Sequence, residues 1–311
     1  MARDAAVDFL LASNEPAIRL MTRRDVLGED VQPDPEEILS GPLVRGLLSG
    51  QKSDGGFGVF VYHKWTGAHW RLVSLVELGV PLGHMDSLRA MEGVLAWIGG
   101  QSIPRIVSGR ERRHASMEGN ALFVCCRLGL ADDDSVSSLV DTLLRSQWPD
   151  GGWNCDKRPA TSHSSFHESV TPIRGLAAYH SATDDVTAMA AARRGAELLL
   201  SHRLFRRSSS GEVIHPEFLH IHWPPYWHYD FFIGLRAVDE AGLLHDPRVN
   251  DALDRLIALK RGDSAWRAGG HRYWRPPGSL SKSGVEAVDW GDASPIVTDL
   301  AKGLLRAAGR T

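Results

Sequence analysis

Between His215 and Phe232 the chain packs four histidines, two tryptophans, two tyrosines and an aspartate into eighteen residues. Asp230 in that run is a carboxyl set among rings, a group suited to general acid or base work with His228 or His222 as its proton relay. The faces of Trp223, Tyr226, Trp227 and Tyr229, with Phe166 from an earlier segment, would line a substrate. Aromatic faces also stabilise a developing cation. Pro224-Pro225 forces an extended approach and predicts a helix beginning near Tyr226, which sets Asp230 in its second turn. A second reading stays open: a buried Asp230 that accepts hydrogen bonds from Tyr or Trp and locks a helix in place.

Cys155, His163 and His167 form another constellation. Histidines at i and i+4 share one helical face, and with the thiolate they supply three ligands and leave a position for water or substrate. Zinc is thus a candidate cofactor. Against it, Ser165-Phe-His-Glu168 has the form of a capping box, and if Ser165 is the N-cap then His163 precedes the helix and the shared face is lost. Glu118 with His114, and Asp289-Trp290-Gly291-Asp292, read as solvated groups or helix caps. Asp132-Asp133-Asp134-Ser135 stands directly before an apolar stripe, where free helix N–H groups favour acids.

The elements that must position these groups read as helices. Val136, Leu139, Val140, Leu143 and Leu144 fall at i, i+3, i+4, i+7 and i+8, one apolar stripe. Similar patterns predict helices near 3–12, 36–49, 66–79, 86–99, 116–129, 165–181, 186–203, 226–241, 248–260 and 293–307. Gly79, Gly129 and Gly242 end three of them, where a left-handed C-cap is easiest for glycine. Strand signals are confined to short pieces such as Gly58 to Tyr62, so the fold class is all-α.

The chain is also self-similar. Gln51-Lys-Ser-Asp54-Gly55-Gly56-Phe57 returns as Gln147-Trp-Pro-Asp150-Gly151-Gly152-Trp153; Gln101 ends a helix between them, and Arg261-Gly-Asp263-Ser-Ala-Trp266 is a decayed copy. Units of two helices that cannot bury their faces alone must stack on neighbours. The pattern Gln-x-x-Asp-Gly-Gly-(Trp/Phe) after one helix and before another resembles the QW repeat of squalene–hopene cyclases and of protein prenyltransferase β subunits. The resemblance covers about residues 38–290. It implies an α/α toroid of five to six helical hairpins in a single domain over residues 1–311, with terminal helices closing the ring around a central apolar cavity. It also implies an apolar or isoprenoid-like small molecule as substrate, and acid–base chemistry of cyclase or isomerase type. The Asp-x-Asp-Asp motif that initiates polyene cyclisation in that family is absent here, and Asn154-Cys155 departs from the prenyltransferase zinc pattern of Asp, a Cys two residues later and a distant His. Two further readings accompany the first: a zinc-dependent enzyme using Cys155, His163 and His167, and a non-catalytic isoprenoid- or lipid-binding toroid.

Composition narrows the classes. With 35 Lys+Arg against 38 Asp+Glu the net charge is −3, which gives no electrostatic basis for holding a nucleic-acid backbone. Three cysteines, two of them adjacent in an apolar run, read as reduced thiols. Charged residues in the first twelve positions argue against a signal peptide, so a cytoplasmic location is expected, with a peripheral membrane contact left open.

Overall fold

The computed structural model describes residues 4–101, 105–262, 265–268 and 294–310. The chain is mostly helical: α1 (Ala5–Leu11), α2 (Pro16–Met21, continued by a π-helical turn Thr22–Val26), α3 (Pro35–Leu39), α4 (Pro42–Leu48), α5 (Ala68–Glu77), α6 (Met85–Gly99), α7 (Ala115–Leu128), α8 (Asp134–Ser146), α9 (Phe166–Thr183), α10 (Val186–Ser201), α11 (Phe231–Glu240), α12 (Asn250–Ala258) and α13 (Ser294–Ala307). Among the described residues, no helix is long and apolar enough to cross a membrane.

Local chemistry explains most boundaries. Asp133 caps α8 by accepting from the Ser135 N–H at 2.8 Å, and the helix then buries Val136, Leu139, Val140 and Leu143, each contributing about 2 kcal/mol by leaving water. Gly79, Gly129 and Gly242 take left-handed conformations just beyond α5, α7 and α11, with φ of +75°, +86° and +72°. The segment expected as one helix over 36–49 is two, because Gly41-Pro42 ends α3 and starts α4. Gly58 to Tyr62 forms turns instead of a strand. The hairpin present pairs β1 (Arg105–Val107) with β2 (Arg110–Arg112) through Ser108-Gly109, both at positive φ as a tight two-residue loop requires.

Helices α5, α7, α9, α11 and α13 touch in succession; α13 then touches α2 and its π-helical turn, and α2, α3 and α4 lead in turn back to α5. Helices α6, α8, α10 and α12 pack against members of this row. Helix α7 is buried along almost its whole length, as is α9 from Glu168 to Ala177, which explains why neither shows a clean apolar stripe.

Two turns close on the same hydrogen bonds. Gln51 Nε2 donates to the carbonyls of Gly55 and Asp86, at the start of α6, and Gln147 Nε2 donates to those of Gly151 and Ala191, in α10. The indole N–H of Trp153 donates to Leu143 O, and that of Trp266 to Leu256 O, in each case ten residues back. The backbone N–H of each tryptophan donates to a hydroxyl on the helix that follows it, Ser169 of α9 or Thr298 of α13. The Gln is replaced in the last copy, but the indole bond survives. Asp263 and Ser264 of that copy, and Asp289 to Asp292, lie outside the described residues.

The tightest crossing joins α7 to α9. A Cβ on Gly119 would stand 2.3 Å from Pro172 N, and one on Gly175 would stand 2.6 Å from Gly119 O. Thr171 Oγ1 donates to Ser116 O across the same contact. Both obstacles are backbone, which cannot swing aside, so Gly119→Ala should destabilise the protein by about 2 kcal/mol or more in chemical denaturation. A loss below about 0.5 kcal/mol would show that the helices separate freely.

Candidate functional site

Asp230 is not in the second turn of a helix. It is the N-cap of α11, with extended backbone (φ −146°, ψ 173°), and the helix starts at Phe231. The expected start near Tyr226 fails because Tyr226 takes φ +45° in a turn closed by His228 N–H on Pro225 O. Asp230 Oδ1 accepts from the N–H groups of Phe232 and Ile233, both at 2.9 Å, and Oδ2 accepts from His222 N–H and His222 Nδ1–H, both at 2.8 Å. The carboxyl is fully buried. Its donors are backbone amides and an imidazole, not the Tyr or Trp of the second sequence reading.

His222 is therefore held by Asp230, while its Nε2 stands 3.4 Å from Glu217 Oε2. Burial disfavours the imidazolium, but Asp230 and then Glu217 outweigh it, and the His222 pKa is raised. From there a run of rings leads outward. His228 lies parallel to His222 at 6.0 Å, Trp227 stacks on His228 at 4.1 Å, and His167 meets Trp227 at 5.5 Å and Phe218 at 5.8 Å between centroids. The His167 pKa moves the other way, lowered by burial with Glu168 only partly opposing.

His167, Phe166, Phe218 and His163 border a cavity of about 820 Å³ that also meets Asp150, Asn154, His202 and Arg207. Tyr229 lies behind its floor, packed on Phe166 and Phe218 at 4.8 and 4.9 Å, with its hydroxyl donating to Leu204 O. Tyr226 belongs to an adjoining aromatic cluster, stacked on Trp65 at 4.7 Å and edge-on to Trp70. Trp227 packs against this cluster, and His228 meets Trp65 at 5.6 Å. Lys64 Nζ lies between the two groups, 5.4 Å from the Trp65 ring and 5.0 Å from that of Trp227. Trp223 is buried beneath the Arg236 guanidinium.

The expected metal triad does not assemble. Ser165 is the N-cap of α9, so His163 precedes the helix and is exposed, while His167 turns into the ring stack. The capping box is not made either. Ser165 forms no side-chain cap, and Glu168 instead reaches across to accept from Ser116 N–H at the start of α7. Cys155 gathers with different partners: His114 and Glu168 each place a ligand atom with it, all within 4.8 Å of one another. Burial, followed by the Glu168 carboxylate, pushes the Cys155 thiol up to about 12. Glu118, expected as solvated, is buried and takes a two-pronged bond from Arg113. The Asp-x-Cys zinc pattern of prenyltransferase β subunits finds no counterpart around Cys155, whereas a sulfur, an imidazole and a carboxylate at these separations suit a tetrahedral ion.

The C-terminal halves of α5, α7, α11 and α13 face a second cavity of about 470 Å³, also lined by α2 and by Arg174 of α9. An apolar centre was the expectation, but this cavity is charged. Glu77 is bonded by Arg174 and Arg236, and Arg174 also grips Glu240. Burial alone would raise the Glu77 pKa; the two guanidiniums hold it at about 2. Asp299, fully buried, accepts from Thr22 Oγ1 at 2.6 Å and is pushed up to about 7, chiefly by burial. Nothing in its local sequence signals this, because Thr22 stands at the opposite end of the chain.

No protein-family model matches the chain, and no curated protein matches it. Among solved structures it is similar to the type II terpene cyclase MstE from Scytonema in its apo form, at 14% identity and a TM-score of 0.30, covering 86% of this chain and 97% of that one. A variant of MstE in complex with its substrate geranylgeranyl dihydroxybenzoate overlaps at 13% identity and a TM-score of 0.32, covering 86% and 96%.

Asp299 makes stability depend on pH. Between about pH 4 and pH 7 the native state keeps a proton that the unfolded chain releases, so stability falls as pH rises through that window. Asp299→Asn keeps the Thr22 acceptor and removes the ionisation. Relative to wild type it should gain about 2–4 kcal/mol from pH 4 to pH 7 and change little above that. Denaturant titrations at both pH values check this, and parallel curves would place Asp299 in a wetter setting.

Proposed function

We propose that the protein is a small-molecule enzyme whose acid–base pair is His222 and His167, serving an apolar or isoprenoid-like substrate in the cavity bordered by Phe166, His167 and Phe218. The observation that carries this reading is the buried Asp230–His222 pair, joined through the stacked rings of His228 and Trp227 to His167 at the cavity wall. Groups in one site whose environments drive their pKa values apart divide into an acid and a base. His222, held between two carboxylates, is the acid; His167, half-buried at the cavity wall with its pKa lowered by desolvation, is the base. Asp230 is a positioning residue, since all its acceptor directions are filled from within the fold.

An imidazolium is too weak an acid to protonate an isolated alkene. The reacting group on the substrate therefore bears oxygen, as an epoxide or carbonyl. Because His222 lies behind the rings of His228 and Trp227 and not on the cavity wall, the substrate head displaces those two rings to take the His222 proton, its electron-poor carbon then lying against the Phe218 face. His167 then takes a proton from the neighbouring carbon. The product has the mass of the substrate, as a cyclase or isomerase requires. The scaffold for this is read as one α/α toroid over residues 1–311, supported by the closed order of helix contacts and by the repeated Gln and Trp hydrogen bonds.

Incubation with polyprenyl epoxides and polyprenyl aldehydes, followed by chromatography with mass detection, should give a product of unchanged mass and altered retention. The rate should rise and fall with pH, with the acid limb below the ordinary His value set by His167 and the alkaline limb above it set by His222. His222→Gln should lower the rate by about 100-fold, and Asp230→Asn should move the alkaline limb to lower pH. An alkaline limb that stays in place in Asp230→Asn, or full activity in His222→Gln, rejects the acid assignment.

A further inference from the structure

The geometry points to a zinc-binding site made by His114, Cys155 and Glu168. The three come from separate parts of the fold: His114 immediately precedes α7, Cys155 follows the Trp153 turn, and Glu168 lies in the first turn of α9. His114 Nδ1 stands 3.5 Å from Glu168 Oε1, and one ligand atom from each residue lies within 4.8 Å of the other two. Donor atoms bound to one tetrahedral zinc, at about 2.0–2.3 Å each, are necessarily separated by about 3–4 Å, so closure onto an ion takes only small side-chain motion.

Each ligand is anchored by a neighbour that does not itself bind. Arg113 N–H donates to Asn154 O at 3.0 Å, tying the residue before His114 to the residue before Cys155. The Asn154 side chain donates to His163 O and accepts from Asp156 N–H, fixing the loop on both sides of the thiol. Glu168 Oε2 is held by Ser116 N–H at 2.9 Å, which leaves Oε1 turned toward His114. Ligands oriented by such outer contacts bind with little reorganisation.

The donor set selects the ion. A thiolate with an imidazole disfavours calcium and magnesium, which take oxygen ligands, and matches zinc. One thiolate and one carboxylate balance the charge of a divalent ion, and three protein ligands leave a fourth position open, the arrangement of zinc sites that hold water or a substrate oxygen. Metal binding here stands independently of the His222–His167 chemistry, because its readout is the ion and not turnover.

The test uses the full chain purified without chelators, with metal content measured per mole of protein, followed by removal of the ion and titration with cobalt(II). The expected result is about one equivalent of zinc as isolated and a cobalt spectrum with intense tetrahedral visible bands and a thiolate-to-cobalt charge-transfer band. Cys155→Ser should abolish the charge-transfer band. His114→Ala, at an exposed ring whose loss leaves the fold intact, should weaken cobalt binding by about 100-fold or more, while His163→Ala leaves it unchanged. Zinc below about a tenth of an equivalent together with the pale spectrum of hydrated cobalt overturns the site, as does a charge-transfer band that persists in Cys155→Ser or undiminished affinity in His114→Ala.

Discussion

A carboxylate shut away from water has to be met by donors on every side, and the region around α11 is organised by that requirement at Asp230. Two of its four donors are the first free amides of α11 and two belong to His222, so one side chain both starts a helix and fixes the loop that precedes it. With His222 fixed, His228 and Trp227 have one place to stack, and His167 closes the row at the cavity. Breaking such a buried charge pair from one side typically costs about 3–5 kcal/mol, which is why the loop behaves as part of the core although it has almost no regular structure.

The parts of the fold set by short-range rules were legible in the residues. The stripe from Val136 to Leu143, the Asp133 cap and the glycines after α5, α7 and α11 all depend on spacings within one or two helical turns. What escaped was fixed over long distances. Glu168 has the spacing of a capping box, but a buried amide at Ser116, on another helix, competes for it and wins. Cys155 has two nearby histidines in sequence, yet the helix boundary at Phe166 points them apart and a histidine 41 positions earlier takes the place beside it. Spacing arguments assume that the helix starts where the pattern begins. At Asp230 and His163 it starts later, and both assignments shift with it.

Repetition survives at the level of hydrogen bonds after the letters have drifted. Trp153 and Trp266 make the same two bonds although Gln147, which precedes Trp153, has no counterpart before Trp266. The indole is the more economical tie, because one rigid ring fills the gap between two helices and its N–H needs a single carbonyl, whereas the glutamine must find two acceptors on separate segments. In the Gln51 turn the exchange runs the other way, since the glutamine bonds are kept while Phe57 has no indole N–H to donate.

The two ends of the buried helices differ for a reason that follows from the peptide dipole. At the amino ends, unfilled N–H groups attract carboxylates, and Glu168 on Ser116 and Asp230 on α11 answer to that. At the carboxyl ends the field favours cations, and Arg127 stands in the last turn of α7. Glu77 runs against this rule, since it is buried at the last residue of α5; it is tolerated because Arg174 and Arg236 both converge on it. A buried ion pair of that kind contributes little net stability but tolerates only one arrangement of its partners, so the charged cluster sets how α5, α9 and α11 register against one another. The ring row from His222 to His167 and the His114, Cys155 and Glu168 cluster at the amino ends then inherit their spacing from a lock at the opposite end of the same helices.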